Sequence, residues 1–119
     1  MAFMTVSVSR KITQDERDAL LKGIGEAQSI LPGKSAQELA VILEEDKPMY
    51  VSGLKQDNMV YANVKYTGRF TYKLKSEFTV ATFEAISKAL GTSKDRMMLS
   101  IDELECFGGF GDLKDIYYS

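Results

Sequence analysis

The chain has 119 residues, 45% of them hydrophobic and spread along its whole length, with 15 basic and 17 acidic side chains interleaved; this predicts one packed domain over 1–119 rather than disorder. No basic stripe and no apolar run of roughly 20 residues is present, so neither nucleic acid nor a membrane is expected as a partner. With no histidine and a single cysteine, Cys106, an ordinary zinc site, a Ser-His-Asp triad and a Cys-His pair are excluded. No metal and no cofactor is expected, and any base must be a carboxylate, a lysine, a tyrosine or the chain's own amino terminus.

Met4, Val6 and Val8 alternate with Thr5, Ser7 and Ser9, the period-two signature of a strand. Thr13-Gln14-Asp15-Glu16 has the form of a capping box, in which Thr13 caps a backbone N–H and Glu16 reaches back. Leu20, Leu21, Ile24, Ala27 and Ile30 then fall on one helical stripe, and Leu31-Pro32-Gly33 stops it. Leu39-Ala40-Val41-Ile42-Leu43 is a short apolar run of the kind buried on both faces of a parallel sheet. The acidic Glu44-Glu45-Asp46 and a loop through Lys47, Pro48, Gly53 and Asp57-Asn58 lead to a third strand over 59–66. There Val60, Ala62 and Val64 oppose Tyr61, Asn63 and Lys65, and Gly68 breaks the pattern. Residues 69–75 alternate as well, with Phe70, Tyr72 and Leu74 in step, and read as a hairpin partner or a structured loop. Ser76-Glu77 opens a second helix with Val80, Phe83, Ile86 and Leu90 as its stripe and Gly91 as its stop. Met97 to Ile101 is another buried strand.

Gly33-Lys34-Ser35 precedes the run at Leu39, with Glu45 two residues beyond it. Gly91-Thr92-Ser93 precedes the run at Met97, with Glu103 two residues beyond it. The offset is 58 residues (91 minus 33), and each segment follows a helix that follows a strand. This predicts a duplicated β-α-β unit with right-handed crossovers, an α+β fold whose mixed four-stranded sheet carries both helices on one face. Should the opposite face be as apolar as Met59, Tyr61, Met97 and Met98 suggest, it needs a cover, and self-association supplies one.

The opening strand, Gly33-Lys34 ahead of Leu39-Ala40-Val41, Gly68-Arg69 after the third strand and Ser93-Lys94-Asp95-Arg96 before Met97, in that order, resemble the macrophage migration inhibitory factor branch of the tautomerase superfamily. From Gly68 to Ser100 the match needs no gap; the 48–58 loop and the tail after Leu104 match less well. The resemblance implies a homotrimer whose sheets line a central barrel, with a pocket between subunits. In the family's enzymes, removal of the initiator methionine exposes a proline whose amine moves a proton between carbon and oxygen in a keto–enol conversion. A lysine after the first helix holds the substrate carboxylate, and side chains of the neighbour complete the pocket. Here Ala2 stands in the proline's place. Lys34 matches the lysine, which makes a small carboxylate the expected ligand.

Trimming of Met1 would give Ala2 a primary amine with an ordinary pKa of about 7.7–8.0, lowered in an apolar pocket near Lys34. That amine lacks the fixed aim of a proline ring, and it favours Schiff-base formation with a carbonyl. Where the family places aromatic or amide side chains, this chain has Glu38, Met98 and Ser100; Thr67 replaces a bulky aliphatic, and a CxxC motif is missing. Glu38 opposes an anionic substrate unless it pairs with Lys34.

Two functions follow. One is an oligomer that binds a small molecule or a protein in its inter-subunit cleft without proline-dependent catalysis, alone or with a related subunit that keeps the proline. The other is an enzyme: a keto–enol tautomerase of the phenylpyruvate type using the Ala2 amine with Lys34, or a different reaction using Lys34 and Glu38. Each residue also has a plainer reading: Lys34 as a cation at a helix end, Ala2 as a strand start, Met97 and Met98 as packing. Phe107-Gly108-Gly109-Phe110-Gly111 lacks the helix and GK[ST] ending of a phosphate loop and reads as a tail whose aromatics, with Tyr117 and Tyr118, touch a neighbouring subunit. The opening Met1-Ala2-Phe3-Met4-Thr5 lacks the regions of a secretory signal, and with a lone thiol this predicts a cytoplasmic setting.

Overall fold

The computed structural model describes residues 2–34 and 36–118. Strand β1 (Ala2–Val8) follows its sequence alternation: Ala2, Met4, Val6 and Val8 are buried while Phe3, Thr5 and Ser7 lie on the other face. The capping box at the start of α1 (Gln14–Gln28) is formed in full. The Glu16 N–H donates to Thr13 Oγ1 (3.1 Å) and the Thr13 N–H to Glu16 Oε1 (2.9 Å).

Arg10 adds a third tie. Its guanidinium donates to Glu16 Oε2 (2.7 Å), to the Leu90 carbonyl (2.8 Å) and to Asn58 Oδ1 (3.1 Å), so one side chain joins the two halves of the chain. The hydrogen bond from Arg10 and that from the Thr13 N–H hold the Glu16 carboxyl at about 2 instead of 4.5. A carboxyl depressed in the folded state contributes stability above its unfolded pKa and loses it as pH falls toward the folded one. The stability gap between wild type and Glu16→Gln in urea should therefore close between about pH 5 and about pH 2. A gap unchanged across that window would show that the pair contributes nothing.

Beyond a 3-10 turn (Ala36–Glu38), β2 (Leu39–Glu44) lies parallel to β1, and β5 (Val60–Thr67) runs antiparallel to β1 on its other side. Helix α2 (Tyr72–Leu90) and a second 3-10 turn (Lys94–Arg96) return the chain to β6 (Met97–Leu104), parallel to β5. The sheet order is β2-β1-β5-β6: a mixed four-stranded sheet built from two β-α-β crossovers. Leu20 and Ile24 of α1 and Phe78, Ile86 and Leu90 of α2 join Met4, Val6, Val64 and Tyr66 in one core, which puts both helices on one face. The helices approach closely where Gly23 meets Ala85; a Cβ on Gly23 would lie 2.8 Å from that of Ala85. None of the described helices is long and apolar enough to cross a membrane.

The duplication is physical as well as sequential. Glu45 accepts from the Ile12 N–H (2.9 Å) and from Arg17 (2.7 Å), just before and within the first turn of α1. Glu103 accepts from the Phe70 N–H (2.7 Å) and from Lys75 (3.2 Å) at the same places on α2. Ile12 and Phe70, Thr13 and Thr71, Arg17 and Lys75, Glu45 and Glu103 are all 58 residues apart (103 minus 45). In each half a carboxylate at the end of the second strand thus anchors the helix entry.

Several expectations need correction. Residues 69–75 are not a hairpin partner: 69–71 form a short loop in which Thr71 caps α2 by accepting from the Leu74 N–H (3.3 Å), and the helix takes over at Tyr72, ahead of Ser76. The alternation misled because Phe70 and Leu74 both pack against the core while Tyr72 between them is 84% exposed. Strands β2 and β6 are sheet edges and largely half-buried, not covered on both faces. Leu21 and Val80 are exposed, and Phe78 serves the α2 core instead.

The 48–58 loop contains a hairpin, β3 (Met49–Val51) and β4 (Leu54–Gln56), and the tail contains another, β7 (Cys106–Gly109) and β8 (Asp112–Asp115). Their turns, Ser52-Gly53 (φ 52° and 78°) and Phe110-Gly111 (φ 53° and 84°), are left-handed at both positions, the form that matches strand twist and favours glycine second. They too are 58 residues apart (111 minus 53).

The open face of the sheet is mixed, with Phe3, Ile42, Tyr61 and Met98 beside a polar cluster. Met59 and Met97 are buried with the core, and only Tyr61 and Met98 of the four suspected residues are exposed. Asn63 donates to Ser100 Oγ (2.6 Å) and Asp102 (3.1 Å), Lys65 donates to Asp102 (2.8 Å), and the Tyr61 and Ser100 hydroxyls meet at 2.6 Å.

Candidate functional site

Ala2 is 3% exposed and stands in register between Leu39 of β2 and Tyr66 of β5. Tyr66 is the fixed point of this corner. Its ring is fully buried, its hydroxyl donates to Glu103 Oε2 (3.1 Å), and Phe70 meets it edge-on with centroids 5.3 Å apart. Burial pushes the Tyr66 phenol well above its ordinary value, and the Glu103 charge adds to this. Burial also pushes the Glu103 carboxyl up, but hydrogen bonds from the Phe70 N–H, Lys75 and Tyr66 outweigh it and hold the group below the usual carboxylate range. Glu103 therefore stays ionised and keeps Tyr66 in place.

Lys34 lies across this platform, with Nζ 5.7 Å from the Tyr66 ring centroid, a cation–π contact. It follows Gly33, whose φ of 76° turns the chain after α1, and its N–H donates to the Leu31 carbonyl (3.0 Å). Burial lowers the pKa of its ammonium group, while the charge of Glu38 acts in the opposite sense. Glu38 ends the 3-10 turn that leads into β2.

Of the candidate residues, then, Ala2, Lys34 and Glu38 gather at one end of the sheet. Met98 and Ser100 do not join them within the chain: they lie on the open face of β6, opposite Tyr61 and Asn63 of β5. Thr67 is adjacent to Tyr66 but points the other way by strand alternation. It lines a cleft of about 340 Å³ with Leu113, Ile116 and Tyr118 of the tail.

Three residues of the corner were not among the candidates: Tyr66, Phe70 and Glu103. Two signals were present. Glu103 repeats Glu45, and Tyr66 continues the Val60, Ala62, Val64 parity that faces the core.

No family model and no curated protein matches the sequence. Solved structures do match along nearly the whole chain. Leishmania major MIF2 superposes with a TM-score of 0.84 at 19% identity, covering 96% of this chain and 97% of that one. The fused 4-OT protein Q0, a wild-type symmetric trimer, gives 0.82 at 23% identity, covering 97% and 96%. A macrophage migration inhibitory factor homologue from Prochlorococcus marinus gives 0.79 at 20% identity, covering 93% and 97%. The protein has the fold of the tautomerase superfamily. One chain carries both copies of the β-α-β unit, with alanine at the second position.

Proposed function

We propose that this protein is an oligomeric, tautomerase-fold binding protein that holds a small carboxylate, or a partner protein, at the Lys34 corner without proline-dependent catalysis. The observation that carries the reading is the placement of the Lys34 ammonium over Tyr66, whose strand neighbour is Ala2. A cation on an aromatic platform at the mouth of the first strand suits an anionic group, and no ring nitrogen stands beside it to act as a fixed base.

The assembly we propose is a homotrimer in the cytoplasm. Met98 and Ser100 can complete the Lys34 corner only from a neighbouring subunit. The outer edges of β2 and β6 have no strand partner among the described residues, and both hairpins carry exposed apolar side chains such as Leu54 and Phe110. The symmetric trimer of the fused 4-OT protein supports the same stoichiometry. Light scattering is expected to give three times the chain mass.

In calorimetric titration with phenylpyruvate, Lys34→Ala should weaken binding by about tenfold, equivalent to about 1.4 kcal/mol. Unchanged affinity would remove Lys34 from the site.

A second reading, a keto–enol tautomerase using the Ala2 amine, is favoured by the burial of Ala2 beside Tyr66. Enolisation of phenylpyruvate followed by absorbance distinguishes the two. The wild type should be slow and Ala2→Pro should accelerate it by about a hundredfold, within the usual range for a positioned base. A fast wild type would replace the first reading with the second. Met1 retained on the mature chain in mass spectrometry would sink the Ala2-amine mechanism.

A further inference from the structure

We propose that Lys34 is a covalent site for small 2-oxo acids, its Nζ condensing with the ligand's carbonyl carbon to form an imine above the buried ring of Tyr66. The inference rests on the reading just given for where the ligand sits, and goes beyond it in making the lysine a nucleophile.

Five of the other lysines have surroundings unlike those of Lys34. Lys47, Lys65, Lys75, Lys94 and Lys114 each face a carboxylate at 2.8–3.7 Å, an arrangement that retains the proton. Lys34 is instead half-buried with its Nζ on an aromatic face. That face is rigid, since Tyr66 is held by the Glu103 hydrogen bond and by the Phe70 ring. Desolvation of this kind is what makes lysine amines nucleophilic toward carbonyls, and burial is the larger influence on this ammonium, ahead of the opposing Glu38 charge.

The chemistry closes without an added reagent. The 2-oxo acid approaches as an anion, its carboxylate drawn to the ammonium. Lys34 gives up one proton to water. The Nζ lone pair forms the C–N bond, and the carbonyl oxygen takes a proton to become a hydroxyl. That hydroxyl leaves as water with the amine's second proton, and the C–O bond breaks as the C=N bond forms. The product is a protonated imine with the ligand's carboxylate one carbon away. One water is released, no proton is gained or lost overall, and nothing is oxidised or reduced. The positive charge returns to the nitrogen over Tyr66, so the ring stabilises the product as it does the ammonium.

The test is reductive trapping of the full-length protein with pyruvate and sodium cyanoborohydride, read by intact mass and peptide mapping. One adduct per chain is expected, on Lys34, forming about ten times faster than on exposed Lys73. Its rate should rise with pH through a midpoint below that of an ordinary lysine. Lys34→Arg should lose the adduct, because a guanidinium stays protonated and does not condense with the carbonyl; a circular dichroism melt confirms that it folds. Trapping spread evenly over exposed lysines, trapping confined to the amino-terminal amine, or no trapping at all overturns the inference. If the wild type binds phenylpyruvate but is not trapped, the carboxylate-binding reading stands and only the covalent step falls. If it neither binds nor is trapped, both fall.

Discussion

Replacing Glu103 by alanine is expected to destabilise the domain by about 3 kcal/mol and lower its Tm by about 10 °C. The carboxylate accepts from the Phe70 N–H, the Tyr66 hydroxyl and Lys75, so its removal unfastens the entry to α2 and leaves a phenol without a partner in the core. An orphaned buried hydroxyl alone costs about 1–3 kcal/mol. Glu45→Ala is the internal control, because Glu45 makes the equivalent backbone and cationic contacts at α1 but holds no buried hydroxyl. It should cost clearly less. In a Tyr66→Phe background the Glu103→Ala penalty should shrink, since the orphaned hydroxyl is gone, and the double-mutant cycle isolates that coupling. The same loss frees the ring under Lys34, so phenylpyruvate affinity should fall together with stability. Urea denaturation placing Glu103→Ala within about 0.5 kcal/mol of wild type would dismiss the clamp.

How far the fold was legible follows from which signals were local. The period-two alternation of β1 and β5, the Thr13–Glu16 box and the repeat of Gly33 and Glu45 at Gly91 and Glu103 are written in neighbouring residues, and all of them appear in the structure. The hairpins were hidden because each strand is only three or four residues long. Ser52-Gly53 and Phe110-Gly111 announce the turns only once the 58-residue offset is applied beyond the helices and strands. The polar cluster on the open face could have been read from Asn63, Lys65, Ser100 and Asp102. Weight given to four methionine and tyrosine positions obscured it, and two of the four belong to the core.

Ala2 and Lys34 are candidates through the family resemblance; strand register sets Ala2 beside Tyr66, and the Lys34 ammonium lies 5.7 Å from the centre of that ring. Tyr66, Phe70 and Glu103 escaped because a buried aromatic in a strand ordinarily signals packing alone. Its second role here depends on a lysine 32 residues earlier in the chain (66 minus 34), a contact that only the fold creates.

Gln28→Met is expected to stabilise the protein by about 1–2 kcal/mol. Gln28 is fully buried near the end of α1, and neither its Nε2 nor its Oε1 has a hydrogen-bond partner among the described residues. Its counterpart in the second half of the chain, 58 residues on (86 minus 28), is Ile86, which is equally buried. The pseudo-symmetric core therefore treats this position as apolar, and the amide is desolvated there without compensation. Methionine has nearly the same length and shape, so it removes the unpaired donor and acceptor while keeping the packing. Gln28→Ala separates the two contributions: it removes the amide but leaves a void, and should lose stability where methionine gains it. A higher urea midpoint for Gln28→Met at unchanged slope would confirm the account. A lower midpoint would mean that the amide is satisfied in solution by an internal water or a neighbouring subunit. A Gln28→Met protein that also dissociates in light scattering would assign it to the subunit.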